Sequence, residues 1–552
     1  MTQSETVPRI SLWKALLLAI VGGLLLDAAT PSLGWWWVVF PGVAVILVAL
    51  WQQRIWRGAL IGAAAGAAFW MPHISWLTLY LGPVPWLGLC GLMIIWFALF
   101  GFLAALTTRG MAITSWLVRR PLLLAGAQAL AVAGLWVARE QVQGSLPYGG
   151  FPWGRLVHTQ ADGPLAQSVS WVGFAGLSGL IALACAVPVA VWFMTRSQKA
   201  SEAAALRDPV PGDPVLSDPV LRRYAPLVAA AASLALLVLL ALVPNAALDS
   251  RGTLRVAAVQ GNSKSGIFDD RESGAVLNDH IRATKTLLDK LEAKGESVDV
   301  IVWPENSAEF NFAGNRIGRF QVEELADRAN APIVIGSVMP NEDGTYTNST
   351  LVWGSAGEEP GRYDKNYPVP FAEYMPNRDF FHALAPDLVD LVQLEYTPGK
   401  RSPVIDVTTE AGTVRAGLAI CFDIIFDQQA VELTRDRAEV IFAQTNNADF
   451  GHTDESAQQL AIARMRAIET GRALVNISTV GTSAVVAPDG TDLARLKPFT
   501  ADAMVAEVPL VEGETPALRF GSAIATLWGL CAVAGIAVGA AALLRRPRKY
   551  ND

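Results

Sequence analysis

The sequence predicts a multi-pass α-helical membrane domain with eight transmembrane helices, and an α/β domain inserted before the last of them. Three observations carry this. Of the residues, 52% are hydrophobic and only 17% charged, with 18 tryptophans, far from the composition of soluble domains. Apolar runs long enough to cross a bilayer, which takes about 20 residues, recur through the first 244 positions and once more near the end. Between them, residues 253–511 alternate short β-branched runs with amphipathic segments, the signature of a layered α/β domain.

The apolar runs lie near 10–28, 35–51, 58–79, 84–107, 121–139, 168–195 and 224–244, with the eighth at 520–544. The first follows Arg9 and contains Lys14, as a cleavable signal peptide would, but further spans follow at once and it reads as a retained helix. The chain thus divides into a seven-helix membrane domain at 1–244, an extracytoplasmic domain at 253–511, the eighth helix at 520–544 and a cytoplasmic tail at 545–552. Basic residues set the orientation. Alternate connections carry Arg54 and Arg57, then Arg109, Arg119 and Arg120, then Arg196, Lys199, Arg207, Arg222 and Arg223, and the tail carries Arg545, Arg546, Arg548 and Lys549. These sides are cytoplasmic, so seven crossings put 253–511 on the opposite face. Within the cytoplasmic connection at 197–221, Asp-Pro-Val recurs from Asp208, Asp213 and Asp218, which reads as a disordered linker.

Two further segments stand out before the chemistry. The outward loop Pro147–Arg155, rich in glycine, proline and aromatics, suits an ordered segment at the membrane interface, either an aromatic anchor or the floor of a lipid path. In the polar region, strands are expected at Leu254–Val259, Val298–Trp303, Ile333–Ser337, Ser349–Trp353, Val414–Ile420, Val440–Gln444, Ala473–Ser478 and Ala484–Ala487. Helices are expected near 273–293, 318–330, 426–436 and 455–471. Catalytic groups of such layered folds emerge at the carboxyl ends of strands.

Cys421 is the only cysteine outside a long apolar run; Cys90, Cys185 and Cys531 read as small hydrophobes within membrane helices. It ends a strand-forming run and precedes a possible helix start with Asp423 as cap, where a helix dipole would lower the thiol pKa. Glu305 follows Val-Trp-Pro at another strand end, where burial would raise its pKa toward that of a general base. Lys365 lies in an aromatic, proline-rich loop with Glu373, and such a lysine can donate to a developing oxyanion. Each also has a plain structural reading: a strand-end cap for Glu305, a solvated loop charge for Lys365, its ion-pair partner for Glu373. Four scattered cysteines and five histidines without His-x-x-x-His spacing give no metal site, and a net charge of −7 without a basic cluster in the polar region excludes nucleic acid as a partner.

Trp303-Pro304-Glu305, then Tyr363-Asp364-Lys365 with Val369-Pro-Phe-Ala-Glu373-Tyr374, then Ile420-Cys421-Phe422-Asp423 resemble the Glu-Lys-Cys triad of the carbon–nitrogen hydrolase (nitrilase) superfamily. With eight apolar runs around them, the chain resembles the superfamily's membrane-bound apolipoprotein N-acyltransferase family. Val259-Gln-Gly-Asn262, Gly150-Phe-Pro-Trp153, and Asn446–Phe450 leading to Ala463–Glu469 match as well. The resemblance implies a nitrilase-like αββα sandwich, no cofactor, and a monomer in the bacterial cytoplasmic (inner) membrane. Its implied partners are the bilayer, a phospholipid acyl donor and a diacylglyceryl apolipoprotein acceptor. It implies that Glu305 moves the proton, Cys421 forms a thioester, and Lys365 with the Phe422 N–H holds the oxyanion. Two departures are visible. Phe422-Asp423 stands where many members carry Tyr-Glu, and Phe268 is the nearest aromatic where many carry tryptophan, making it the candidate lining of the acyl pocket.

A membrane setting suits this chemistry, since drawing a diacyl lipid into water exposes tens of methylenes at about 0.8 kcal/mol each. The loop bearing Tyr363, Tyr367, Phe371, Tyr374 and Met375 is expected to act as a lid, with Glu373 closing the site or positioning the incoming amine. Three other readings remain open at this level: a membrane-anchored amidase or nitrilase with water as acyl acceptor, a non-catalytic lipid- or lipoprotein-binding protein, and a Cys–His pairing drawing on His280, His382 or His452.

Overall fold

The computed structural model describes residues 9–205, 219–266, 269, 270, 272–354, 361–410 and 412–545. Every predicted apolar run is helical: Leu12–Ala28, Val39–Leu50, Ile55–His73, Pro83–Met111, Pro121–Gln143, Val169–Ala205, Pro219–Ala241 and Pro516–Leu544. Five helices among the described residues are long and apolar enough to cross a membrane, beginning at Pro83, Pro121, Ala166, Arg223 and Pro516. Ile55–His73 continues into Ser75–Leu81 after a 57° bend, just past Pro72, and Trp36–Leu50 is a shorter apolar helix. Their outward faces carry Trp13, Leu17, Leu227 and Leu239 fully in the open, which only a lipid surround makes favourable.

Where two of these helices touch, one presents glycines. Gly58, Gly62 and Gly66 line one face of Ile55–His73, and a Cβ built on Gly62 would come within 2.2 Å of the Phe97 carbonyl oxygen. Close backbone approach of this kind replaces the missing hydrophobic drive between helices in lipid.

One expected boundary differs. The sequence predicts a linker over 197–221, but the helix runs on to Ala205 and the next begins at Pro219. Lys199–Ala205 is dominated by alanine, a strong helix former, whereas the prolines begin only at Pro209. The first two Asp-Pro-Val repeats, Asp218 of the third and the tail from 546 lie outside the described residues, while Pro219 and Val220 of the third open the next helix.

The polar region is a two-sheet sandwich flanked by helices. One sheet has the order β12-β1-β2-β3-β4-β5, built from β1 Asp249–Gln260, β2 Val300–Val302, β3 Ile333–Pro340, β4 Tyr346–Trp353, β5 Gly361–Asp364 and β12 Asp502–Glu512. The other has the order β11-β10-β9-β8-β7-β6, from β6 Val404–Thr409, β7 Gly412–Ile420, β8 Val440–Thr445, β9 Leu474–Ser478, β10 Ala484–Val486 and β11 Asp492–Arg495. Strand alternation explains the layers. Val256 and Ala258 of β1 point between the sheets, while Ala257 and Val259 point to the helices Ala275–Lys294 and Arg316–Ala329. In β8, Val440 and Phe442 face the inter-sheet core, whereas Ile441 and Ala443 join an apolar cluster continuous with the membrane helices. Strands β5, β6, β11 and β12 went unanticipated. Gly-Arg-Tyr-Asp has little intrinsic strand preference and is extended because it pairs with β4 from Ser349 to Val352.

The second sheet reaches the membrane helices through Asp427–Arg435 and Glu455–Thr470. Arg155, at the end of the loop Pro147–Arg155, donates to both carboxylate oxygens of Asp427 at 2.8 Å. Arg466 donates to the same carboxylate at 2.6 Å and pairs with Glu469, which in turn accepts the Phe174 N–H at 3.2 Å. Burial alone would raise the Asp427 pKa, but the two guanidinium groups outweigh it and hold the carboxyl well below its ordinary value. Gln458 adds a second tie: its Oε1 accepts from the indoles of Trp153 at 2.8 Å and Trp76 at 3.2 Å.

Candidate active site

Three strand ends meet here. Glu305 follows β2, Lys365 follows β5 and Cys421 follows β7, so the first two come from one sheet and the thiol from the other. Gln444 of β8 fixes the sheets against each other at this level, donating to the Trp303 carbonyl at 2.5 Å and accepting from Thr350. Any slip between the layers would separate the thiol from the carboxylate.

Lys365 is 2% exposed, so the reading of a solvated loop charge fails. Its Nζ donates to Glu305 Oε1 at 3.3 Å and to Glu373 at 3.0 Å. Asn348 of β4 donates to the same two carboxylates, at 2.7 and 2.9 Å, so one amide and one ammonium hold two acids in place. Burial disfavours the charge of Lys365, yet Glu305 and Glu373 outweigh it and hold the ammonium pKa well above its ordinary value. Burial pushes Glu305 upward against the pull of Lys365, the direction expected of a proton acceptor.

Cys421 adopts φ +49°, a left-handed conformation that costs a non-glycine residue about 1–3 kcal/mol and so points to a constrained site. It opens a single 3-10 turn, Cys421–Ile425, and the α-helix begins only at Asp427. The expected lowering of the thiol pKa is therefore overturned. Burial pushes the thiol well above its ordinary value, the Glu305 charge adds to this, and Lys365 opposes it; one short turn supplies too small a dipole to compensate. Both charges act on the thiol, which places Cys421 in their field. The Phe422 N–H belongs to the first turn, where backbone donors have no intrahelical acceptor.

Asp423 is not the expected helix cap but the knot of the turn. It is fully buried; Oδ2 accepts from Ile420 N–H at 3.0 Å and Tyr363 Oη at 2.8 Å, and Oδ1 accepts from Tyr367 N–H at 2.9 Å. Burial, eased by Lys365, raises its pKa to about 6. The shorter acid thus ties the Cys421 turn to the lysine loop. The Phe422 ring stacks on Phe151 at 6.2 Å, and Phe151 stacks on Trp153, so the loop Pro147–Arg155 of the membrane half reaches the residue next to the thiol.

In the loop expected to act as a lid, Glu373 Oε2 accepts the Val369 N–H at 2.6 Å, and the Phe371 N–H donates to the Tyr374 carbonyl at 2.8 Å. Phe371 packs edge-on against Phe381 and Tyr148, and no hydrogen bond among the described residues joins Phe371 or Tyr374 to the lysine–carboxylate cluster. Phe268 lies outside the described residues. The histidine reading fails. His452 is exposed against Phe499, His280 is buried beside Trp303 and bonded to Val276, and His382 pairs with Asp390 at the surface. Among the described residues no cluster of three or more metal-ligating side chains occurs.

Sequence reasoning missed Asn348, Asn447, Glu455 and Gln459. Gln459 donates to Cys421 Sγ at 3.4 Å, and Asn447 donates to Gln459 at 2.9 Å and to Glu455 at 2.7 Å. A usable signal existed, because Glu455 and Gln459 are polar at i and i+4 on a helix whose other members are mostly apolar.

The sandwich coincides with a match to the Carbon-nitrogen hydrolase family model over residues 255–515, which gives its class. The model for the Apolipoprotein N-acyltransferase N-terminal domain matches residues 22–187. The apolipoprotein N-acyltransferase of Mycolicibacterium smegmatis is 32% identical over 550 residues, covering 96% of this chain and 85% of that protein. That of Geobacter metallireducens is 28% identical over 565 residues, covering 100% and 99%. Among solved structures, Nit3 of Saccharomyces cerevisiae, a member of branch 10 of the nitrilase superfamily, is 16% identical over 50% of this chain and 95% of its own, with a TM-score of 0.34. This chain belongs to the apolipoprotein N-acyltransferase family.

Proposed function

We propose that the protein moves a fatty acyl chain from a membrane phospholipid, through a thioester on Cys421, to the α-amino group of the N-terminal diacylglyceryl cysteine of apolipoproteins. Glu305 takes the thiol proton as sulfur attacks the ester carbonyl, and returns it to the departing lysophospholipid oxygen. Lys365 and the Phe422 N–H stabilise the oxyanion. The amine then attacks the thioester, its proton passes to Glu305, and the thiolate leaves as the amide forms. Asn348 and Glu373 hold Lys365 and Glu305 in register. The observation that carries this reading is the buried Lys365 bridging Glu305 and Glu373 at 3.3 and 3.0 Å, in electrostatic reach of the one cysteine outside the apolar helices.

The same reading gives eight crossings of the bacterial cytoplasmic membrane, with the sandwich at 253–511 on the extracytoplasmic face and the tail inside. Eight apolar helices and basic residues on alternate connections support it. All the groups invoked come from one chain, so a monomer suffices. The lid loop, packed through Phe371 on Tyr148 of the membrane half, lies where a lipid substrate would enter.

Incubating the purified protein with phospholipid and weighing it by mass spectrometry tests this. An acyl adduct on Cys421 that is absent in Cys421→Ala, slowed in Glu305→Gln and discharged by a diacylglyceryl peptide to give an amide is the expected result. Rapid discharge to water without amide would make the protein an amidase, and no adduct at all would make it a binding protein.

A further inference from the structure

The proposed steps leave one buried polar chain unused, and it ends on the nucleophile. The Asn447 amide is saturated: Nδ2 donates to Glu455 Oε2 and Gln459 Oε1, while Oδ1 accepts from Ser478 Oγ at 2.6 Å and Thr445 Oγ1 at 3.2 Å. Its orientation is fixed from outside, because the Gly481 N–H donates to Ser478 Oγ and leaves the hydroxyl proton for Asn447. With Asn447 donating to its oxygen, Gln459 must turn its own NH2 group to Cys421 Sγ, 3.4 Å away. Asn447, Glu455 and Gln459 are all buried, so water does not compete for these bonds.

We propose that Gln459 is a further catalytic residue of the acyl-transfer site, a hydrogen-bond donor to the Cys421 sulfur that favours the thiolate before attack and again when sulfur leaves the amide-forming intermediate, and that Asn447 and Glu455 are the positioning residues that aim it. This rests on the acyl-transfer reading for its role in turnover but not for its action on the thiol. A donor to sulfur offsets the burial and the Glu305 charge, both of which resist thiolate formation. Burial keeps Glu455 largely neutral, with its pKa raised to about 8, so the chain is anchored without a full negative charge beside the sulfur.

The test is the pH dependence of iodoacetamide alkylation of Cys421 in the full-length protein, followed on the Cys421 peptide by mass spectrometry. Gln459→Leu removes the donor at similar volume, and its alkylation midpoint is expected to rise by about one pH unit, or about tenfold slower labelling at a fixed pH below both midpoints. Gln459→Met, of similar volume and also without a donor, is expected to shift it the same way and serves if the leucine variant does not fold. Acylation by phospholipid should slow in parallel while the KM for phospholipid stays unchanged. An unshifted midpoint in a folded variant overturns the proposal. Loss of acylation in the wild-type protein would instead overturn the acyl-transfer reading and leave the alkylation result standing.

Discussion

Arg155, in a loop between two apolar helices, sets its guanidinium against both carboxylate oxygens of Asp427, the first residue of the helix that follows the Cys421 turn. The membrane half therefore holds the sandwich by a buried cation 272 positions earlier in sequence. Arg155→Leu should leave Asp427 with Arg466 alone and lower stability by about 1–3 kcal/mol, less than for a wholly buried pair because Asp427 is 39% exposed. Thermal unfolding in detergent, read beside phospholipid acylation, checks this; an unchanged midpoint would show the pair to be dispensable.

Lys365 neutralises two acids at once, so its removal should cost more than its own contacts. Lys365→Met is expected to leave Glu305 and Glu373 facing each other without a cation, destabilising the sandwich by about 3–5 kcal/mol. The double variant carrying Lys365→Met and Glu373→Gln should recover part of that stability while remaining unable to acylate Cys421. Recovery of acylation in the double variant would show that the ammonium has no role in oxyanion stabilisation.

Glu455 has a folded pKa of about 8 against an ordinary 4.5, with burial the largest cause. The folded state thus holds this proton where the unfolded chain has lost it. Its contribution to stability is full below about pH 4.5, declines as pH rises, and is gone above about pH 8. Glu455→Gln stays neutral throughout, so its thermal midpoint relative to the wild type should climb between pH 5 and 8 and level off beyond. A constant difference across that range would contradict the burial of an ionisable carboxyl here.

Gly62 faces the Phe97 carbonyl so closely that a Cβ would sit 2.2 Å from it. Gly62→Leu should force apart the helices Ile55–His73 and Pro83–Met111 and lower the thermal midpoint in detergent, whereas Gly88→Leu, where nothing lies within 4 Å, should not. Equal effects of the two would refute close packing at this crossing.

Much of this was legible in the sequence for a physical reason. Apolar run length reports helices in lipid directly, and the β-branched runs of β1, β3, β7 and β8 are buried on both faces, so composition alone marks them. Strands β5 and β11 are short and polar, and exist only because a neighbour offers its edge. At the site, Glu305 and Cys421 announce themselves by following apolar strands. Asn348 and Asn447 do not, since their role depends on pairings across 43 and 12 positions that no local pattern encodes. The thiol environment differs from the expectation because the helix starts three residues later than a cap at Asp423 requires, and its dipole does not reach the sulfur.

Gln458 and Gln459 are consecutive residues, yet the first grips the indoles of Trp76 and Trp153 and the second touches the sulfur. Anyone wishing to cut the sandwich loose as a water-soluble reagent would therefore unseat the helix that carries both. The hydrophobic half is scaffolding for the reactive centre, and a soluble version would need a substitute for that support as well as a new surface.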